Sequence, residues 1–190
     1  MLTCLETNTF FTDTTAYWNV PHRVHFLRAR GLMAAGRVEE ALKEIQICLT
    51  ILPADIETPI LLVPALEKVG RKQDAAELFN KVFTNIEQYC ADFPRWAEAH
   101  NMLAWLSARC RRQLDAALTH AQTAAKLVPQ SASYLDTLAE VHFQRGDQSR
   151  AIALMRRCIV LDPKADYFRQ QLNRFETGDI LVDVAPRKAS

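Results

Sequence analysis

LDTLAEVHFQRGDQSRAIALMRRCIVLDP, from Leu135 to Pro163, carries the pattern that decides the fold. Leu135, Leu138, Ala139 and His142, then Ala151 and Met155, recur at three- and four-residue intervals, which places each set on one face of a helix. Gly146 lies between the two sets. A glycine there takes the left-handed conformation that ends one helix and begins a turn, and Asp147 after it is suited to cap the next helix. Ala139 and Ala151 are small because two helices of a hairpin cannot approach closely with large side chains at their crossing. Pro163 lacks an N–H and biases its predecessor away from helix, so the second helix stops before it.

The pattern repeats. RAIALMRRCIVLDP (Arg150 to Pro163) has counterparts in AALTHAQTAAKLVP (Ala116 to Pro129) and EALKEIQICLTILP (Glu40 to Pro53), and Pro129 and Pro163 are 34 residues apart. In the first unit the same positions are His25, Arg28, Ala29, Leu32, Gly36, Ala41, Ile45 and Pro53. The second unit offers Pro59, Leu62, Val63, Leu66, Gly70, Ala75 and Phe79, and the third His100, Leu103, Ala104, Ser107, Ala117, Ala121 and Pro129. A period of 34 with small residues at fixed places resembles the tetratricopeptide repeat family, and units three and four, with NMLAWL and YLDTLAE, are similar to paired repeats of its bacterial members. The resemblance implies an all-α fold, a right-handed superhelical solenoid of antiparallel helix pairs with a C-terminal capping helix.

Departures from the period carry their own expectations. From Pro53 to Pro94 the chain has 41 residues instead of 34, the excess following Phe79. Seven residues are close to two turns, so the second helix of that unit lengthens with its buried face in phase and reaches Tyr89 or Cys90. Pro64 should shorten or kink the helix before Gly70. In the third unit Ala104 and Ala117 are 13 residues apart, and Arg111 stands where the other units have Gly. The extra residue belongs in the turn, since one residue added inside a helix would rotate its face by about 100°.

The expected organisation is an N-terminal arm or remnant of a larger array (1–21), repeats at 22–55, 56–96, 97–131 and 132–164, a capping helix at 165–175 and a loose tail at 176–190. Phe10, Phe11, Tyr17 and Trp18, in a Thr-rich arm, favour extended structure. Tyr167, Phe168, Leu172 and Phe175 form the stripe that covers the open end of the array.

Composition narrows the function. A hydrophobic share of 49% in 190 residues supports a buried core, and 5 glycines with 8 prolines are too few for an all-β sandwich. A net charge of +1 supplies no global field for nucleic acid or an anionic membrane, and no apolar run reaches the roughly 18 residues that span a bilayer. Cys4, Cys48, Cys90, Cys110 and Cys158 are odd in number and contain no Cys-x-x-Cys pair, which fits free thiols and a cytoplasmic setting.

No catalytic, cofactor or metal residues are assigned. His22 and His25 stand three apart but find no third ligand nearby in sequence, His25, His100 and His142 fall on packing positions, and His120 is isolated. Cys48 and Cys158 share the repeat position held by Ala124 and read as packed thiols. Cys110 stands beside arginines that would activate a thiolate, though the cluster also reads as a solvated turn.

In the family it resembles, the first helices of successive units line a concave groove for peptides or helices. The positions carried over are Arg23, Phe26, Arg30 and Met33, then Ile60, Pro64, Glu67 and Lys68, then Asn101, Trp105 and Arg109, and finally Asp136, Glu140 and Phe143. These run from basic to acidic and imply a partner that is acidic toward the first unit. The Lys and Asn set by which some relatives clamp a terminal carboxylate is not reproduced. The expected role is a non-catalytic scaffold for another protein or peptide, without nucleic acid or membrane insertion and with self-association open. The alternative is a spacer within a larger chain or assembly whose activity lies elsewhere.

Overall fold

The computed structural model describes the backbone of residues 14–180 and the side chains of residues 20–180. Phe10, Phe11 and Cys4, and the tail from residue 181, lie outside the described residues. Among the described residues there are nine α-helices and no strand: α1 (Thr14–Ala34), α2 (Val38–Ile51), α3 (Glu57–Lys68), α4 (Lys72–Asp92), α5 (Ala97–Cys110), α6 (Leu114–Leu127), α7 (Ala132–Gln144), α8 (Gln148–Leu161) and α9 (Asp166–Thr177). The chain is thus an all-α array of helix-turn-helix pairs. Helix α1 begins at Thr14 and passes through Pro21, so it reaches back into the segment read as an arm.

Turn chemistry sets the helix ends. After α1, α3, α5, α7 and α9 the chain closes with paired backbone bonds of Schellman type, as in Gly146 N–H to the Phe143 carbonyl and Asp147 N–H to the His142 carbonyl, both 2.9 Å. Gly36, Gly70, Gly146 and Gly178 supply the positive φ that this motif requires. After α5 the same place falls to Arg111 at φ 54°, and Gln113, at φ 52°, takes a second left-handed conformation just before α6. The extra residue of the third unit is therefore in the turn. Asp147 caps α8, its carboxylate accepting from Arg150 N–H at 3.2 Å. The second helices α2, α6 and α8 stop at Leu52, Val128 and Asp162, each followed by its proline.

Helix α4 has 21 residues against 14 for α2, which is the two-turn extension that the spacing predicts. Helix α3 is shorter than α1, α2 and α4, where the sequence leads one to expect a short or kinked helix. It has 12 residues and is continuous through Pro64. Pro64 is exposed, so its ring faces solvent while Leu62, Val63 and Leu66 remain buried.

The chain divides into two compact units, Met1–Val82 and Phe83–Ser190. In the first, Ala29 and Ala41 are fully buried where α1 meets α2, and Phe26, Ile45, Cys48, Leu62, Val63 and Leu66 fill the core. In the second, Ala104, Ala108, Ala117 and Ala121 pack α5 on α6, against Leu138 and Val141. Leu135, Ala139, Phe143, Ala151, Met155 and Cys158 form the core between α7 and α8, and Phe168 and Phe175 of α9 close it. The small residues chosen by the repeat are fully buried in the packed helix pairs, as ridge-into-groove packing demands.

Candidate partner-binding faces and buried histidines

In the second unit Asn101, Trp105 and Arg109 occur at four-residue intervals on α5 and are all half-buried. The Arg109 guanidinium lies 5.6 Å from the centre of the Trp105 ring. The side-chain oxygen of Asn101 is buried and accepts no hydrogen bond from the described residues. Asp136, Glu140 and Phe143 are nearly sealed from solvent, at 6%, 0% and 5% exposure. Helix α9 is the reason: Arg174 pairs with Glu140, and the Phe175 ring centre is 4.6 Å from that of Phe143. The acidic end that the sequence suggests for a groove is therefore not a surface feature.

In the first unit Phe26 is fully buried and Met33 is 9% exposed, so both serve the core. The guanidiniums of Arg23 and Arg30 lie 5.4 and 5.6 Å from the centre of the Phe26 ring. Arg23 also donates to Glu57 at 3.0 and 3.1 Å. Arg30, Glu67 and Lys68 are exposed and Ile60 is half-buried.

The histidines are more engaged than their spacing suggests. His22 Nε2 lies 3.0 Å from Asp55 in a buried pair, and His25 Nδ1 lies 2.5 Å from Glu44, so the two use separate carboxylates. His100 Nδ1 lies 2.7 Å from His120 Nδ1, and His100 Nε2 donates to the Pro94 carbonyl at 3.1 Å. His120 is thus not isolated. Cys90 joins this pair, its Sγ and the two imidazoles placing ligand atoms within 4.8 Å of one another. Burial, and then the charge of His100, lower the His120 pKa, while burial and then Glu87 push the Cys90 thiol up to about 11.

A signal for this grouping lies in the repeat itself. His25 and His100 hold equivalent positions on α1 and α5, and Glu44 and His120 each stand three residues beyond the crossing Ala41 and Ala117. The His25–Glu44 and His100–His120 contacts are therefore the same inter-helix contact in two units. Reading along the chain, where the members are about twenty residues apart, hides it; superposing the units reveals it.

The other thiols are packed. Cys48 Sγ lies 3.8 Å from the His22 carbonyl and Cys158 Sγ 3.3 Å from that of Ala132, equivalent contacts in the first and last units. Burial pushes the Cys48 thiol up to about 11. Cys110 is 7% exposed at the end of α5.

Period, turn geometry and alanine crossings together define helix-turn-helix repeats of the tetratricopeptide type. Solved structures with a similar fold include TTC0263, a thermophilic TPR protein of Thermus thermophilus, at 21% identity, covering 82% of this chain and 81% of that one with a TM-score of 0.49. MamA of Desulfovibrio magneticus RS-1 is similar at 19% identity over 83% of this chain and 85% of that one, TM-score 0.44. PilF of Pseudomonas aeruginosa is similar at 15% over 84% and 69%, TM-score 0.45. No family model and no curated protein matches the chain. No helix among the described residues is long and apolar enough to cross a membrane.

Proposed function

We propose that the chain is a non-catalytic interaction module whose second unit holds an extended peptide segment of another protein against α5. The observation that carries this is the line of half-buried side chains Asn101, Trp105 and Arg109 along α5, in which the Arg109 guanidinium lies over the Trp105 ring. Tryptophan and arginine are the side chains that most often dominate binding when truncated. Asp136, Glu140 and Phe143 support the second-unit face from beneath and do not touch the ligand, so charge at that end does not set its direction.

The test is a display selection of random peptides on the immobilised full chain, followed by affinity measurement on Trp105→Ala, Asn101→Ala and Arg109→Glu. Affinity should fall tenfold or more for each variant while the melting temperature stays close to wild type. Selected peptides that bind all three variants as tightly as wild type would remove the α5 face as the binding surface. A selection that yields no specific binder would favour the spacer role.

A further inference from the structure

We propose that Cys90, His100 and His120 form a binding site for a thiophilic d10 metal ion, zinc(II) or copper(I). One thiol and two imidazoles converge from three helices, α4, α5 and α6, with their ligand atoms within 4.8 Å of one another. Cys90 and His100 are 5% and 7% exposed, and His120 is half-buried. Sulfur and imidazole together select the borderline and soft ions over magnesium or calcium, which take oxygen ligands.

Protonation fits a ligand set. The His100 Nε2 proton is committed to the Pro94 carbonyl, which leaves the His100 Nδ1 lone pair aimed inward at His120. Such a carbonyl contact on the far ring nitrogen is the usual support of a metal-ligating histidine. With no metal bound, the 2.7 Å Nδ1–Nδ1 contact requires a proton on His120 Nδ1, because two bare lone pairs repel. On binding, that proton moves to His120 Nε2, both Nδ1 atoms bond to the ion, and the Cys90 thiol releases one proton to solvent as its thiolate coordinates. No oxidation change occurs. Metal–nitrogen bonds of about 2.0–2.1 Å and a metal–sulfur bond of about 2.3 Å need the nitrogens roughly 3.3 Å apart. From 2.7 Å this is a small side-chain rotation.

The placement depends on two departures from the repeat. The extension of α4 delivers Cys90, and the longer α5–α6 turn leaves α6 in phase so that His120 meets His100. The fourth unit places Leu135 and Leu154 at the positions of His100 and His120, so the ligand pair is not a packing need of the hairpin.

The experiment titrates the reduced full chain with zinc(II), and separately with copper(I) under anaerobic conditions, against a chromophoric chelator. One equivalent of one ion should be retained, with release of about one proton. Cys90→Ser and His120→Ala should weaken retention at least a hundredfold, and Cys158→Ser should not. Histidine 15N–1H correlation spectra of the unmutated chain provide a readout independent of variant folding: saturation should shift both Nδ1 signals to metal-bound positions and leave protons on both Nε2 atoms. Retention of neither ion, retention unchanged in Cys90→Ser and His120→Ala, or unmoved His100 and His120 signals would overturn the site. Retained zinc without copper, or the reverse, identifies the ion.

Discussion

Glu140 on α7 and Arg174 on α9, 34 residues apart, form an ion pair with both side chains sealed from solvent, at 0% and 3% exposure. The separation is one repeat, so α9 uses on α7 the spacing of a further unit. Around the pair, Gln144 donates to Glu140 at 2.8 Å, Arg174 Nε donates to Gln171 at 2.8 Å, and the guanidinium lies 5.0 and 4.7 Å from the ring centres of Phe143 and Phe175. Removing one partner of a buried pair strands the other charge.

Arg174→Met should therefore destabilise the chain by about 3–5 kcal/mol, whereas Glu140→Leu with Arg174→Met should recover most of that loss. Urea denaturation of the two single variants and the double variant measures the coupling. A single variant within about 1 kcal/mol of wild type, an ordinary surface effect, would show that α9 is held by its apolar stripe alone.

Arg111 sits where four other helix ends place a glycine, and its φ of 54° is costly for a side chain with a Cβ. Arg111→Gly should stabilise the third-unit turn by up to about 1 kcal/mol, part of the steric relief being offset by greater freedom in the unfolded chain. Gly146→Ala, at φ 86°, should lose about 1 kcal/mol or more, with strain the cause because nothing lies within 4 Å of the added Cβ. Thermal melts of both variants give opposite signs if the left-handed conformation governs these turns.

The helix pairs, alanine crossings, long α4 and inserted turn residue were legible because each rests on a local rule of period or backbone conformation. Pro64 does not interrupt α3, and its exposed position leaves the ring facing solvent. The groove positions were legible as positions on helices but not as exposed ones. Phe26, Asp136, Glu140 and Phe143 are covered by neighbours that sequence spacing alone does not locate. Arg174 illustrates this: it reads as an ordinary surface arginine on an amphipathic helix until Glu140 is placed against it. The Cys90–His100–His120 grouping escaped for the converse reason, since its members belong to three helices and no short motif links them.

Acid should weaken the fold from about pH 6.5 downward. His142 on α7 has a lowered pKa because it is buried, with Asp147 opposing and Arg150 and Arg145 adding to the effect; His120 is lowered by burial and by His100. A histidine depressed in the folded state is neutral in both states above the unfolded value of 6.5, so its contribution is complete there. As pH falls below that value the unfolded chain takes up the proton first, and stability declines until the folded form is protonated as well. Urea midpoints at pH 7.5, 6.5 and 5.5, with a chelator present, should fall at the lowest pH, and His142→Gln should flatten the decline. An identical pH profile in that variant would exclude His142 as a source.

Phe26 and Arg30 separate core from surface within a single contact. The Arg30 guanidinium lies 5.6 Å from the centre of the Phe26 ring, yet Phe26 is fully buried and Arg30 is exposed. Phe26→Ala removes a buried ring and leaves a cavity between α1 and its neighbours, so it should cost about 3–5 kcal/mol. Arg30→Glu removes only an exposed cation–π contact, worth about 0.5–1 kcal/mol, and should leave the melting temperature nearly unchanged. On partner binding the order should reverse. For an acidic peptide that binds the first unit by itself, Arg30→Glu should weaken affinity by charge reversal, and the effect should shrink as salt screens the contact. Peptide affinities at low and high salt, read beside the melts, test both halves. A stable Phe26→Ala variant with lost binding would return Phe26 to the surface as an anchor, and an Arg30→Glu variant that melts early would make the arginine part of the core.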